Sequence, residues 1–137
     1  MTTVLNPYLS FRTEARAAME FYRGVFGGDL SLSTFGDFGG PDSHKDLVMH
    51  AQLTTPSGFT LMASDSAPGA ERTVGDNIAI SLSGDDPEEL HGYWKRLTDA
   101  GSVDLPLQKQ MWGDEFGMCT DRFGIHWYVN VADGRDD

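Results

Sequence analysis

One histidine of this sequence is placed where an acid–base group could act. His50 lies in the middle of residues 47–53, which alternate apolar and polar side chains as a half-buried β-strand does. An imidazole changes charge near neutral pH and can accept or donate a proton. His50 is therefore the best candidate for a catalytic residue. A hydrogen-bonded structural histidine is the simpler alternative.

Polar and aromatic side chains recur at alternate positions of other predicted strands. In residues 77–83, for example, Ile78, Ile80 and Leu82 alternate with Asn77, Ala79 and Ser81. Alternate positions of a strand face opposite sides of its sheet, so the apolar set predicts a core face and the mixed set a ligand pocket. A wetted sheet or a dimer surface is the alternative. The candidate ligand-binding residues are Tyr8, His50, Gln52, Met62, Ser64, Asn77, Trp112, Tyr128 and Asn130.

A metal centre built from two histidines and a carboxylate has to be weighed as well. His50 and His126, with Glu115 or Asp121, have the ligand types of such a site. Each also has a simpler interpretation, with His126 a strand-edge residue near a turn and Glu115 a solvated strand end. We therefore predict neither a metal site nor a cofactor. The single cysteine, Cys119, excludes an intrachain disulfide and indicates a small buried side chain.

Two helices and eight strands would position these side chains. Residues 13–26 have helical spacing with Thr13 as the predicted N-cap, and a second helix begins with Asp86 as cap and Pro87 in its first turn and ends at Gly101. The predicted strands are residues 6–11, 30–35, 47–53 and 59–64, then 77–83, 102–105, 115–120 and 126–131.

The order β-α-β-β-β thus occurs twice. An offset of 72 residues places Tyr22 on Trp94, and an offset of 66 places Gly58 on Gly124. The repeat predicts an α+β fold of two βαβββ modules within a single domain, residues 1–137. Module one is predicted at residues 3–65, a linker at 66–75, module two at 76–132 and an acidic tail at 133–137.

Short motifs along the chain carry a family resemblance. They are PYLSF at 7–11, EFY at 20–22, FGG at 26–28, VMHA at 48–51, LMASD at 61–65, PLQ at 106–108, WG at 112–113, FG at 116–117 and TDRFG at 120–124, followed by Trp127 and Asn130. The ordered set resembles the glyoxalase/bleomycin-resistance/extradiol-dioxygenase superfamily, also called vicinal oxygen chelate, and in particular its PhnB-like branch. The resemblance implies open, cup-shaped mixed sheets with helices on the outer face, and a homodimer.

The resemblance also implies where a metal would lie. In metal-dependent members, His, Glu or Gln ligands come from the first and last strands of each module, and those positions fall at Asn6, Met62, Asn77 and Tyr128. None of them is a histidine or a carboxylate, so the usual glyoxalase metal site is expected to be absent. Some PhnB-like proteins are labelled ubiquinone-pathway methyltransferases, but this sequence has no Gly-rich strand-to-helix turn for a nucleoside cofactor.

These observations favour a protein that binds a small organic molecule without that metal. One alternative is a metal-dependent lyase, isomerase or dioxygenase using His50 and other non-standard ligands. Another is an antibiotic-sequestering protein like the bleomycin-resistance proteins. A structural module that only forms a dimer is a third.

The amino-acid composition limits the classes of partner that the protein is expected to bind. The chain has 137 residues, with 10 Lys and Arg against 21 Asp and Glu and a formal charge of −11. This balance argues against nucleic acid and anionic membranes, whose binding requires basic residues. No signal peptide or membrane-spanning run is evident, so a cytoplasmic location is expected.

Overall fold

The computed structural model describes residues 2–66 and 69–133. The chain divides into two compact units, which are called unit 1 (residues 1–73) and unit 2 (residues 74–137) below. The boundary lies within the residues predicted as a linker. Residues 67–68 of that linker and 134–137 of the predicted acidic tail, which include Asp136 and Asp137, lie outside the described residues. No helix in the described part of the chain is long and apolar enough to cross a membrane.

Unit 1 is a four-stranded sheet with one helix. Its elements are β1 (Tyr8–Phe11), α1 (Ala15–Phe26), β2 (Asp29–Thr34), two short 3₁₀ helices (Gly36–Phe38 and Asp42–His44), β3 (Val48–Thr54) and β4 (Thr60–Asp65). The strand order is β1-β4-β3-β2. β1 runs parallel to β4 and the other pairs are antiparallel, which makes the sheet mixed.

Unit 2 repeats this arrangement. It contains β5 (Ile80–Gly84), α2 (Pro87–Thr98), β6 (Ser102–Lys109), β7 (Glu115–Thr120) and β8 (His126–Val131). The strand order is β5-β8-β7-β6, again with one parallel pair at the edge. The predicted α+β fold, with two βαβββ modules that each form an open mixed sheet, is confirmed.

The repeat extends to the atoms of the closing hairpins. Thr55 N donates to Phe59 O at 3.0 Å, and Asp121 N donates to Ile125 O at 2.9 Å. Gly58 and Gly124 occupy the same place in these turns with φ of 93° and 87°, a conformation that favours glycine. The 66-residue offset therefore relates equivalent turns as well as similar letters.

Each sheet has one face packed by its helix and one face left open. α1 buries an apolar stripe of Ala15, Ala18, Met19, Tyr22, Val25 and Phe26. The core face of the first sheet contributes Leu9, Phe11, Ala51, Leu53, Leu61 and Ala63. We call Tyr8, Ser10, Asp29, Ser31, Ser33, His50, Gln52, Thr54, Thr60, Met62 and Ser64 the open face of unit 1. We call Ser81, Ser83, Phe116, Met118, Thr120, His126, Tyr128 and Asn130 the open face of unit 2.

The N-terminus of α1 differs from the prediction. The helix begins at Ala15 with Glu14 at the N-cap position, so Thr13 is not the cap. The buried Asp65 takes over this role from the end of β4. Its Oδ1 accepts from Ala15 N at 2.9 Å and its Oδ2 accepts from Val48 N at 2.8 Å. In α2 the prediction is confirmed, because the Asp86 side chain accepts from Glu89 N.

Three strands also have a boundary that differs from the prediction by two residues or more. β1 begins at Tyr8, two residues after the predicted start, and β5 begins at Ile80 because Asn77 lies in a bend before it. The alternation predicted Ile78 on the core face, but its side chain is 79% exposed. β6 continues to Lys109 because register shifts within it allow pairing with β7 to go on past Leu105.

Candidate functional site

The open face of unit 1 is organised around a tyrosine–histidine hydrogen bond. Tyr8 Oη lies 3.1 Å from Nδ1 of His50, and the ring centroids are 5.7 Å apart. The two residues belong to β1 and β3, which are separated by β4. The hydrogen bond therefore spans β4 on the open face. Tyr8 is 49% exposed and His50 is half-buried, so both are accessible to a ligand.

A β-bulge in the β2–β3 pair separates His50 on this face from Val48 in the core. Ser33 pairs with His50 but Thr34 pairs with Val48, which leaves Met49 as an extra residue. Strict alternation would put Val48 on the same side as His50, yet Val48 is buried in the core. The extra residue lets the strand bury Val48 and still direct His50 outward.

The side chains around this pair are uncharged. Tyr8, Met62, Gln52 and Ser31 form one row across four strands. Met62, Gln52 and Ser64 are all half-buried. The acidic residue of the open face, Asp29, lies at the far end of the edge strand β2, where it pairs with Thr54. Around the Tyr8–His50 pair, the face thus offers hydrogen-bonding groups and a flexible thioether but no fixed charge.

The open face of unit 2 carries an aromatic cluster. Phe116 and Tyr128 meet edge to face at 5.6 Å, and Trp112 lies 6.4 Å from Phe116. Trp112 is 63% exposed and Tyr128 is 40% exposed. The turn between β6 and β7 presents Trp112, with Gln110 N donating to Asp114 O at 2.7 Å. Phe116 was missing from the predicted site, although its place two residues before Met118 in a predicted strand indicates its face.

Two predicted asparagines have different outcomes. Asn130 lies on the open face of unit 2, where its Nδ2 donates to Asp114 Oδ2 at 3.1 Å. Asn77 is exposed in the bend before β5 and belongs to no strand. The structure therefore groups Tyr8, His50, Gln52, Met62 and Ser64 on one open face and Trp112, Tyr128 and Asn130 with the other, and leaves Asn77 outside both.

The positions that the resemblance marks for metal ligands do not fit a divalent metal. Asn6 precedes β1 and Asn77 precedes β5, so neither is held by a strand. Met62 would offer a thioether and Tyr128 a phenol, which are poor ligands for the divalent metals that prefer imidazole and carboxylate. The residues present therefore do not form the usual glyoxalase metal site.

The non-standard metal set fails for a geometric reason. Thr120 pairs with His126, whereas Glu115 pairs with Val131 at the other end of the β7–β8 ladder. That separation is about 16 Å along the strands. Within the described ranges, no group of three or more His, Cys, Asp or Glu side chains is placed to hold a metal ion.

The carboxylates of that set also have other partners. Asp121 is buried and accepts from Trp127 Nε1 at 2.8 Å and from Phe123 N at 2.8 Å. Glu115 begins β7, with a third of its side chain exposed, and pairs with Nε2 of His91 at 3.0 Å. Both carboxylates thus have structural roles.

Cys119 is not placed for nucleophilic chemistry. Its side chain is 1% exposed on the core face of unit 2. Burial, and then the charges of Asp121 and Asp104, raise the pKa of the thiol to about 12. Because only the thiolate is a strong nucleophile, this cysteine is inert near neutral pH.

The fold and the open faces define a class of protein. The family model of the glyoxalase/bleomycin resistance protein/dioxygenase superfamily matches residues 4–129. The chain therefore belongs to this superfamily. The resemblance found in its motifs is thereby confirmed.

The chain is similar to individual bacterial proteins, one of which is a PhnB protein. The chain is 27% identical over 143 residues to protein YjdN of Escherichia coli strain K12, covering 93% of this chain and 95% of the relative. The crystal structure of protein PA1353 from Pseudomonas aeruginosa is 39% identical with a TM-score of 0.86, covering 96% of this chain and 98% of that one. A PhnB protein from Bacillus cereus, also described as a proposed 3-demethylubiquinone-9 3-methyltransferase, is 26% identical with a TM-score of 0.77, covering 95% of this chain and all of its own.

Proposed function

We propose that this protein binds a small, uncharged organic molecule on its open sheet faces, without a metal ion. The Tyr8–His50 hydrogen bond is the observation that carries this proposal. It holds two polar groups in a fixed geometry on a face that contributes nothing to the core. Such preorganised polar groups beside apolar surface are typical of ligand sites.

The chemistry of the face supports an uncharged ligand. A charged molecule loses hydration on binding and needs an opposite charge nearby, and the positions next to the Tyr8–His50 pair supply none while His50 is neutral. The Tyr8–His50 pair can present a donor in either neutral tautomer, as Nε2–H of His50 or as the Tyr8 hydroxyl. A ligand with carbonyl or hydroxyl oxygens suits such a pair.

A second candidate function is an isomerase or lyase reaction with His50 as the base. The bond to Tyr8 favours it, because engaging Nδ1 orients the imidazole ring and leaves Nε2 for a substrate proton. This function would show as turnover of a bound molecule that His50→Gln abolishes. The homodimer implied by the resemblance and the cytoplasmic location expected from the sequence remain predictions.

Thermal-shift screening with EDTA present tests the proposal. We expect some members of a panel of uncharged metabolites to raise the unfolding temperature of the wild type. The effect should shrink in Tyr8→Phe and His50→Gln and persist in His44→Gln, a matched histidine in the second 3₁₀ helix, bonded to Ser43. If no molecule stabilises the wild type, or stabilisation survives both open-face substitutions unchanged, the proposal is wrong.

A further inference from the structure

Three side chains form a hydrogen-bonded chain across unit 2. Thr120 Oγ1 lies 2.8 Å from Oδ2 of Asp104 and 2.9 Å from Nδ1 of His126. The strands β6, β7 and β8 each supply one member. None of the three belongs to the ligand set described above, and His126 was interpreted from sequence as a strand-edge residue.

The number of protons in this chain determines the tautomer of His126. A carboxylate only accepts hydrogen bonds, so the single hydroxyl proton of Thr120 is donated to Asp104. The 2.9 Å contact between Thr120 Oγ1 and His126 then requires Nδ1–H to donate. In neutral His126 the proton therefore lies on Nδ1, and Nε2 keeps its lone pair.

Another histidine of the same unit has the opposite tautomer. Nε2 of His91 lies 3.0 and 3.1 Å from the two carboxylate oxygens of Glu115. Since both oxygens only accept, Nε2 of His91 must carry a proton. His91 is thus an internal reference for His126.

The bare nitrogen of His126 lies on a face that has aromatic surface. His126 and Tyr128 are two residues apart on the open face of unit 2, about 7 Å along β8. Tyr128 is 40% exposed, and the ring of Phe116 packs edge to face against its ring. A hydrogen-bond acceptor and an aromatic ring are thus adjacent, and His126 itself is only half-buried.

We propose that His126 is a second binding group, which presents Nε2 as a fixed hydrogen-bond acceptor beside Tyr128. Thr120 and Asp104 are positioning residues that hold this tautomer. The fitting ligand is an uncharged planar molecule with one N–H or O–H donor, which donates to Nε2 and stacks on the ring of Tyr128. The inference rests on the proposed function, because it names the ligand chemistry of the open face of unit 2.

Nitrogen NMR of the histidine rings tests the positioning chain without any ligand. At about pH 8.5, where imidazoles are neutral, we expect His126 to be protonated on Nδ1 and His91 on Nε2. In Thr120→Val, we expect His126 to populate both tautomers. If that variant does not fold, Asp104→Ala, at an exposed position, replaces it and should have the same effect. Thr98→Val, on α2, is the matched control and should change nothing. Protonation of His126 on Nε2 in the wild type would overturn the inference.

A pair of probes tests the binding group. Indole has one N–H donor and 1-methylindole has none, although both are planar and uncharged. We expect indole to shift the signals of His126 and Tyr128 and to bind about fivefold more tightly than 1-methylindole, as one hydrogen bond allows. Thr120→Val, or Asp104→Ala, should remove this preference.

Equal affinities for the two probes in the wild type would contradict the inference. Shifts confined to Tyr8 and His50 would also contradict it but would leave the proposed function standing. Failure of any molecule to bind either face would refute the proposed function, whereas the tautomer of His126 is measured independently.

Discussion

Tyr8 and His50 are joined by a 3.1 Å hydrogen bond although their strands do not pair with each other. The bond is possible because only β4 separates β1 from β3 and both side chains lie on the same side of the sheet. It couples the edge strand β1 to β3 on a surface that the core does not need. The pair is thus a feature of the open face and not of the packing.

The coupling between these two residues can be measured by a double-mutant cycle. Tyr8→Phe and His50→Ala should each lower the free energy of unfolding only slightly, because both side chains are partly exposed. The double variant should reveal a coupling of about 0.5–1 kcal/mol, the net value of one hydrogen bond. Urea unfolding followed by circular dichroism measures it, and strictly additive effects would show that the bond does not form in solution.

Asp65 should be important for stability and not for binding. It is 5% exposed and accepts from the backbone of Ala15 and Val48, which ties α1 to the sheet. Asp65→Asn keeps the shape but gives up a charged acceptor, and we expect a loss of about 2 kcal/mol in the free energy of unfolding. Asp99→Asn, at a largely exposed carboxylate, is the matched control and should cost much less. A similar cost for both would show that the buried hydrogen bonds contribute little.

Gly117 should not tolerate a methyl group. A Cβ there would lie 2.8 Å from the Leu107 backbone and 2.8 Å from Cη2 of Trp94. Gly117→Ala should therefore destabilise unit 2 by about 1–3 kcal/mol through overpacking. Gly24→Ala, in α1 with nothing within 4 Å of the new methyl, should instead stabilise the fold by up to about 1 kcal/mol. Thermal unfolding of both variants checks this, and a neutral Gly117→Ala would mean that β6 can move away.

The buried thiol gives a dependence on alkaline pH. Burial and two neighbouring aspartates raise the pKa of Cys119 from 9.0 to about 12. The unfolded chain ionises the thiol at lower pH than the folded chain does. The stability that the neutral thiol contributes is therefore complete below about pH 9 and is lost as the pH rises toward 12.

Comparison with Cys119→Ala isolates that effect. The wild type should lose stability more steeply than the variant between pH 9 and 11. At pH 8 the folded wild type should also react with a thiol reagent far more slowly than the unfolded chain does. Parallel stability curves, or rapid modification of the folded protein, would contradict the burial of Cys119.

Local signals predicted the elements well where the structure uses local interactions. The Asp86 side chain caps α2 by accepting from the backbone of Glu89, only three residues away. Gly58 and Gly124 lie in the turns of β-hairpins with positive φ. These features depend on neighbouring residues, so the sequence alone predicted them. Thr13 was wrong as a cap because the acceptor at that helix end is Asp65, fifty residues away in sequence. Helix ends that are satisfied by distant residues cannot be recognised from local spacing.

The site was predictable as a face and not as a set of contacts. Alternation correctly placed Tyr8 and Met62 on one side and Tyr128 and Asn130 on another. The Tyr8–His50 bond depends on the strand order, which leaves no local signal in the sequence. Asn77 was misplaced because it continues the alternation of β5 beyond the end of its backbone pairing.

Calorimetric titration of the strongest stabiliser from the thermal screen, after dialysis against EDTA, tests the central claim most directly. We predict that EDTA leaves the affinity of the wild type unchanged and that His50→Gln weakens binding about tenfold, while His44→Gln binds like the wild type. Loss of binding on removal of metal, or equal affinity in His50→Gln and the wild type, would contradict a metal-independent site at Tyr8 and His50.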